Sequence, residues 1–182
     1  MEALADTLII PVKGLPKGES TFHFAIDGSF FSKFGNTRIK DADCSVKVSA
    51  RRRSTVMEIV CRIGGFVVVE CDRCLDDLPL KVDVERMLTV GFGAVDVDDA
   101  TDEDDMMVVS SSDSVISLDQ FVYDYVCLSL PIVMTHPEGR CNPQMLARLE
   151  SGSRPSEEQT EGNNPFGKLK EMLKKIETIK IL

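Results

Sequence analysis

The 182-residue sequence has no long hydrophobic run, and this excludes a helix that spans a membrane. Its apolar stretches, such as residues 66–69, fall far short of the ~20 residues that cross a bilayer. The beginning of the chain carries acids and a proline and has no basic leader of the kind found in secretory signals. We therefore expect a cytoplasmic protein without a membrane partner.

The motifs of several enzyme classes are also missing. With only two histidines, the sequence does not support a Ser-His-Asp arrangement. No glycine motif that cradles phosphate occurs, since Gly64, Gly65, Gly91 and Gly93 are typical of turns and strand ends. We therefore infer no catalytic residue and no small-molecule substrate from the sequence.

Acidic residues outnumber basic ones, but the excess is concentrated in one segment. The chain has 30 Asp and Glu against 21 Lys and Arg, a net charge of −9, and seven of the acids lie within 94–106. Without these seven, 23 acids face 21 bases, a net charge of −2. We interpret 94–106 as a mobile acidic loop. Because cations must face phosphate in nucleic-acid binding, the candidate contacts are Arg51, Arg52, Arg53 and the basic C-terminal segment.

Alternation of apolar and polar residues predicts several β-strands, the first at 21–27. The same period recurs in three further segments: 44–50, 57–63 and 80–85. We expect Gly64 and Gly65 to end one strand before the next begins at 66–70. No helix-length insert separates the strands, so the predicted fold is α+β with a mostly antiparallel β sheet or a partly open barrel.

A helix is predicted near 118–130, after the last strand signals. Residues 117–120 read Ser-Leu-Asp-Gln, a capping box that satisfies the first free amides of a helix. An apolar stripe follows at helical spacing, and Pro131 ends the pattern. The β-rich part of the chain, residues 1–150, is therefore expected to form a single domain with this helix near its end.

The C-terminal part of the chain has a different composition. Residues 151–164 contain no aliphatic side chain, which is typical of a flexible linker. Asn164 and Pro165 then favour the start of a new helix. We predict an amphipathic C-terminal helix over 165–180, with one apolar face and several lysines.

Six cysteines in a chain expected to be cytoplasmic indicate metal or redox chemistry before structural disulfides. Cys71 and Cys74 form a C-x2-C pair between two predicted strands, and His136 and Cys141 form an H-x4-C pair on a later loop. Two short-range pairs on separate loops are the usual way to assemble a tetrahedral structural zinc site. The spacing alone leaves two alternatives open, a zinc site with these four ligands and a set of side chains that binds no ion.

A redox centre is a further alternative for Cys71 and Cys74. A thioredoxin-type motif needs its first thiolate at a helix N-terminus, where the helix dipole lowers the pKa. Here the following segment, 75–84, alternates like a strand, and Asp76 and Asp77 are expected to raise a thiol pKa. The other three cysteines are predicted to be small core residues: Cys44, Cys61 and Cys127.

Three segments, taken in order, resemble one protein family. Residues 69–74 match its C-x-R-C turn, and residues 116–141 match its segment of the form I-D-L, L-x-L-P, His and Cys. Residues 164–169 are similar to its closing N-P-F-x-x-L helix. The sequence thus resembles the YceD-like proteins, described as large ribosomal RNA subunit accumulation proteins, over residues 60–175.

The resemblance implies a role in the accumulation of 23S ribosomal RNA in bacteria and chloroplasts, without a known catalytic mechanism. Cys71, Cys74 and Cys141 occupy cysteine positions of the family, and His136 precedes the last of them. Many relatives have a second close cysteine pair where this chain offers one histidine and one cysteine. A structural Zn²⁺ on these four side chains is therefore a hypothesis about this chain's own ligand set.

The leading functional hypothesis is a non-enzymatic factor that supports 23S rRNA accumulation or processing and large-subunit biogenesis. Its partner is 23S rRNA or a pre-ribosomal particle, contacted directly or through a protein. Candidate RNA or partner contacts are Arg51, Arg52, Arg53, Phe166, Lys168, Leu169 and Lys170. The alternatives are a zinc-stabilised protein-interaction module without RNA contact and a C-x-x-C thiol redox protein.

Overall fold

The computed structural model describes residues 7–15, 18–53, 56–93, 105–110 and 112–152. Within these residues the chain is α+β, as predicted. The strands are β1 (Ile9–Pro11), β2 (Glu19–Asp27), β3 (Ile39–Arg52), β4 (Val56–Glu70), β5 (Asp77–Phe92), β6 (Asp105–Val109) and β7 (Val115–Ser117). The helices are α1 (Gly28–Lys33), α2 (Asp119–Ser129) and α3 (Pro143–Gly152).

A five-stranded sheet in the order β2-β3-β4-β5-β6 forms the body of the fold. The strands β2 to β5 pair antiparallel in sequence order, which confirms the predicted meander. The sheet stays open, with β2 and β6 at its edges, so the barrel alternative does not apply to the described residues. A second, two-stranded sheet pairs β1 with β7.

The strand β6 was not predicted, and it pairs parallel to β5. Two of its residues, Asp105 and Met106, belong to the segment that the sequence assigned to a mobile acidic loop. The rest of that loop, residues 94–104, lies outside the described residues. The sequence did not indicate this strand because β6 has only five residues and begins with an aspartate in an acidic segment.

The glycine pair in β4 does not end a strand, so that prediction was wrong. β4 runs without a break from Val56 to Glu70 and crosses the sheet beside β3. Gly65 adopts a φ of 152°, and a Cβ atom there would lie 2.1 Å from the carbonyl oxygen of Asp43 and 2.7 Å from Cα of Cys44. Glycine therefore serves a close approach of two strands rather than a turn.

One face of the large sheet forms the core, and the other carries polar side chains. Alternate residues of β3, from Ala42 to Ala50, are buried, whereas Asp43, Ser45 and Lys47 between them are exposed. The helix α1 packs on β2 and β3, and α2 packs on β4 and β5. Cys44 and Cys61 are fully buried on this core face, which confirms their predicted role.

The helix α2 confirms the predicted helix, but its first turn is capped differently. Leu118 holds the N-cap position and makes no side-chain capping bond. Ser117 lies in β7, where its Oγ accepts a hydrogen bond of 3.3 Å from the amide of Asp119. Gln120 donates to Asp124 instead of turning back to the cap. The capping box therefore does not form, because its serine is held in the strand.

The chain divides into two compact units, residues 1–142 and 143–182. The second unit begins with α3, a helix that the sequence did not predict, and α3 includes Ser151 and Gly152 from the predicted linker. The remainder of that linker and the predicted helix at 165–180 lie outside the described residues. Among the described residues, α2 and α3 have 11 and 10 residues, and neither has the length or the hydropathy of a membrane-spanning helix.

Candidate metal centre

A tight turn between β4 and β5 carries Cys71 and Cys74. The amide of Leu75 donates to the carbonyl of Cys71 at 2.9 Å, and the amide of Cys71 donates to the carbonyl of Asp76 at 2.9 Å. Leu75 has a φ of 64°, a left-handed conformation that a non-glycine residue seldom adopts. This turn places both cysteine side chains in the interior, where they are buried.

The second half of the site comes from the segment that follows α2. It is joined to the turn through Asp72: the Asp72 amide donates to the Met134 carbonyl, and the Met134 amide donates to Asp72 Oδ2, both at 2.7 Å. Arg38 forms an ion pair of 3.2 Å with the same carboxylate. These bonds bring His136 and Cys141 beside the cysteine turn.

The four predicted ligands converge on one point. The Sγ atoms of Cys71, Cys74 and Cys141 and a ring nitrogen of His136 all lie within 4.8 Å of one another. No other group of three or more His, Cys, Asp or Glu side chains gathers in this way among the described residues. We call these four residues the ligand cluster.

The separations within the ligand cluster suit tetrahedral coordination. Cys71 Sγ lies 4.0 Å from Cys141 Sγ, and Cys74 Sγ lies 3.4 Å from His136 Nδ1. A tetrahedral zinc ion with ordinary bond lengths separates two sulfur ligands by about 3.8 Å and a sulfur from a nitrogen by about 3.5 Å. These two pairs of donor atoms therefore lie close to the spacing that zinc requires, and the whole group lies within 4.8 Å.

His136 is oriented by a backbone group outside the ligand cluster. Its Nε2 lies 3.2 Å from the carbonyl oxygen of Asp77, at the start of β5. A carbonyl only accepts, so Nε2 carries the proton and donates it, and the lone pair of Nδ1 is free to face the sulfurs. Metal-ligating histidines commonly have such a partner, which fixes the ring and its tautomer.

The ligand cluster stabilises one thiolate even without a cation. Burial by itself raises the pKa of Cys71, but the amides of Cys74, His136 and Arg73 more than offset this and bring the pKa to about 6. The Cys71 thiolate in turn raises the pKa of His136. The expectation that nearby acids would raise the pKa of this thiol was therefore wrong, because backbone amides of the turn and of His136 point at the Cys71 sulfur.

The pKa of Cys141 is shifted in the opposite direction from that of Cys71. Burial, together with the neighbouring Cys71 and Cys74 sulfurs, raises the pKa of Cys141. Several thiolates in one small buried site repel one another, and a divalent cation removes that repulsion. The site thus has the donor set, the spacing and the electrostatic need that a thiophilic ion such as Zn²⁺ satisfies.

The predicted arginine patch is largely engaged with the protein itself. Arg52 donates to the carbonyl of Val12 at 3.0 Å and lies over the Phe92 ring, and Arg53 pairs with Glu58 at 2.9 Å. Arg51 is exposed, and its cross-strand neighbours are the acids Glu19 and Glu58. The other proposed contacts fall outside the described residues: Phe166, Lys168, Leu169 and Lys170.

Sequence reasoning missed the residues that support the ligand cluster. Asp72 joins the two halves of the site, and the carbonyl of Asp77 orients the histidine. The position of Asp72 between the two cysteines was the one available signal. A backbone carbonyl leaves no trace in the sequence, so the role of Asp77 required the structure.

The fold and the ligand cluster define an α+β protein with an open antiparallel meander and a closed Cys3His group at the end of its sheet. Comparison with protein-family models matches residues 59–173, more than half of the chain, to "Large ribosomal RNA subunit accumulation protein YceD". The chain belongs to the YceD family. Neither a curated protein nor a solved structure matches it.

Proposed function

We propose that the protein is a non-enzymatic factor for 23S rRNA accumulation and large-subunit biogenesis, with a structural zinc ion on Cys71, Cys74, His136 and Cys141. The span of the family match carries this proposal, since residues 59–173 include all four ligands. The family is described by rRNA accumulation and not by a reaction. The ligand set supports a structural ion, because four protein ligands fill a tetrahedral site and leave no open position for a substrate.

The zinc ion would join two parts of the chain that are distant in sequence. Cys71 and Cys74 lie in the turn between β4 and β5, whereas His136 and Cys141 follow α2. Binding would therefore fix the segment after α2 against the end of the sheet. In this proposal the zinc ion holds a binding surface in shape and takes part in no reaction. Loss of the ion should therefore abolish rRNA accumulation by disrupting that surface.

The test is complementation in cells that lack the endogenous protein. We expect wild type and Cys127→Ser to restore the ratio of 23S to 16S rRNA, and Cys71→Ser to fail at matched protein level. Cys127 is a half-buried thiol outside the ligand cluster, so it controls for thiol loss. An unchanged rRNA ratio in cells without the protein would contradict the proposed function.

Contact with RNA, if direct, is proposed at Arg51 and at the C-terminal residues Phe166, Lys168, Leu169 and Lys170. Ultraviolet crosslinking of the protein in cells, followed by identification of the crosslinked peptides, tests this. Crosslinks at these positions would support direct binding. Their absence, together with copurification of a ribosomal protein, would favour the interaction module that acts without RNA contact.

The lowered pKa of Cys71 favours one competing function, a thiol redox protein. That function accounts for Cys71 and Cys74 but leaves the convergence of His136 and Cys141 unexplained. We expect the zinc-loaded protein to show no turnover in an insulin-reduction assay. Turnover that Cys71→Ser abolishes would favour the redox function instead.

A further inference from the structure

An open groove of about 570 Å³ lies between α2 and the edge of the large sheet, away from the ligand cluster. Its apolar lining includes Met106 and Met107 of β6 and Phe121 and Leu128 of α2. Leu128 is 75% exposed although it lines an apolar groove. Methionine side chains adapt to irregular partners, so this lining suits a ligand with apolar side chains.

The charges of the groove have one sign. Both charged residues that line it, Asp105 and Asp124, are acids, and the polar partners of these two are Tyr125 and Gln120. Arg86 stacks on the Tyr125 ring, but it is not among the lining residues. Asp105 is also the last of the seven acids that the sequence concentrates in one segment. The groove therefore favours a cationic ligand and disfavours nucleic acid, whose phosphates the acids repel.

The backbone beside the groove is also open to a partner. β6 is the last strand of the sheet, so within the described residues only one of its edges is paired. An edge strand next to an apolar groove is a common docking place for a peptide, with main-chain bonds for affinity and side-chain pockets for specificity.

We propose that the groove between β6 and α2 binds a lysine- or arginine-rich peptide segment of a partner protein, anchored by one or two apolar side chains. Apolar anchors would contact Met106, Met107 and Leu128, and the cationic side chains would face Asp105 and Asp124. This goes beyond the proposed function, because it depends neither on zinc nor on a role in rRNA accumulation.

The test measures binding of a fluorescein-labelled synthetic peptide with alternating leucine and lysine to the full-length protein, by fluorescence anisotropy. Two matched peptides, one with glutamate for lysine and one with serine for leucine, control for charge and for apolar contact. We expect both to bind at least about tenfold more weakly. Equal binding of all three peptides would overturn the proposal.

Substitutions at exposed positions locate the site. Leu128→Ser and Asp124→Lys should each weaken binding of the leucine-lysine peptide about five- to tenfold. The loss of affinity in Asp124→Lys should become smaller at high salt, because salt screens the charges. The control variants are Ile132→Ser, an aliphatic residue that is 95% exposed outside the groove lining, and Asp83→Lys on the opposite face of the sheet. Both controls should bind as wild type does, and equal weakening in the controls would overturn the assignment.

The sequence predicts a basic amphipathic segment at 165–180 of this chain, so the test must distinguish that occupant from a partner. Full-length protein with Phe166→Ser and Leu169→Ser removes the apolar anchors of that segment. If the groove serves a partner, these changes leave peptide affinity unchanged. A tenfold gain in affinity would assign the groove to the chain's own C-terminal segment and overturn the proposal.

Discussion

Two cysteines without exposed surface have pKa values that are shifted in opposite directions. Cys61 in the middle of β4 and Cys71 just beyond its end both have no exposed surface. Burial among apolar side chains raises the pKa of Cys61 to about 12. Burial opposes ionisation of Cys71 as well, but backbone amides of the turn and of His136 bring its pKa to about 6. The polar groups around a thiol, and not only its exposed surface, therefore decide its chemistry.

The two cysteines lie in regions that are stabilised differently, the interior of the large sheet and its end. The interior of the sheet is stabilised by packing of apolar side chains and by regular strand pairing. The end of the sheet is a turn and a loop joined by the hydrogen bonds of Asp72 and by ligands that converge on one point. A cation is thus expected to matter greatly at the end of the sheet and very little in its interior.

The largest effect is expected from removal of the metal. Zinc bound by four protein ligands contributes directly to folding, so Cys71→Ser or a strong chelator should lower stability by about 5 kcal/mol or more. Elemental analysis of freshly purified protein should give about one zinc ion per chain in wild type and almost none in Cys71→Ser. The melting temperature should fall correspondingly.

Cys127→Ser is the matched control for this prediction. Its thiol is half-buried, lies in α2 and accepts a weak contact from Asn36 at 3.6 Å. The variant should keep its zinc and most of its stability. Two results would contradict the metal site: a zinc content well below one ion per chain in wild type, or a melting temperature that chelation leaves unchanged. Either result would mean that a cation stabilises the end of the sheet no more than its interior.

A smaller but still large effect is expected inside the sheet at Gly65. An added Cβ would collide with the backbone of Asp43 and Cys44, and the φ of 152° suits only glycine. Gly65→Ala should therefore cost about 3 kcal/mol or more in urea unfolding. Gly64→Ala is the control, since its Cβ would meet nothing within 4 Å, and it should change stability by less than about 1 kcal/mol.

Zinc content distinguishes the two regions in this experiment. Folded Gly65→Ala protein should retain its metal, because the ligand cluster depends on the turn after β4 and not on the strand contact at Gly65. Equal stabilities of the two alanine variants would show that β3 and β4 do not approach as closely as the structure indicates.

The sequence predicted the parts of the fold that repeat with a regular period. Alternation identified the four long strands, and helical spacing identified α2, because apolar packing acts on every turn of these elements. β6 was missed because it is short and lies in acidic sequence, and Gly64 and Gly65 were misread because glycine serves both turns and close strand approach. The local context of these residues, rather than their type, decides their structure.

The identity of the four residues in the ligand cluster was predictable from the sequence, but the electrostatic surroundings of their side chains were not. The spacing of Cys71 with Cys74 and of His136 with Cys141 indicated two pairs on separate loops, and the structure brings the pairs together. The low pKa of Cys71 was not predictable, because it arises from backbone amides that every sequence contains. The groove beside α2 was likewise not predictable, since one of its walls, with three of the ten lining residues, comes from the unpredicted strand β6.

The smallest expected effect is the pH dependence of stability that Cys61 in the sheet interior contributes. Because the pKa of Cys61 is raised to about 12 in the folded protein, its thiol stays neutral above pH 9, where the unfolded chain loses that proton. The folded state then binds more protons, so stability falls as pH rises from about 9 to about 12, by about 1.4 kcal/mol per pH unit at most for this one thiol. Cys71 is already ionised in the folded protein, and its contribution is the same in wild type and in a Cys61 variant, so it cancels when the two are compared. Urea unfolding between about pH 8.5 and 10.5 under reducing conditions should therefore give a shallower decline for Cys61→Ala than for wild type. Parallel declines would mean that Cys61 ionises as readily as an exposed thiol, and the contrast between the two buried cysteines would fail.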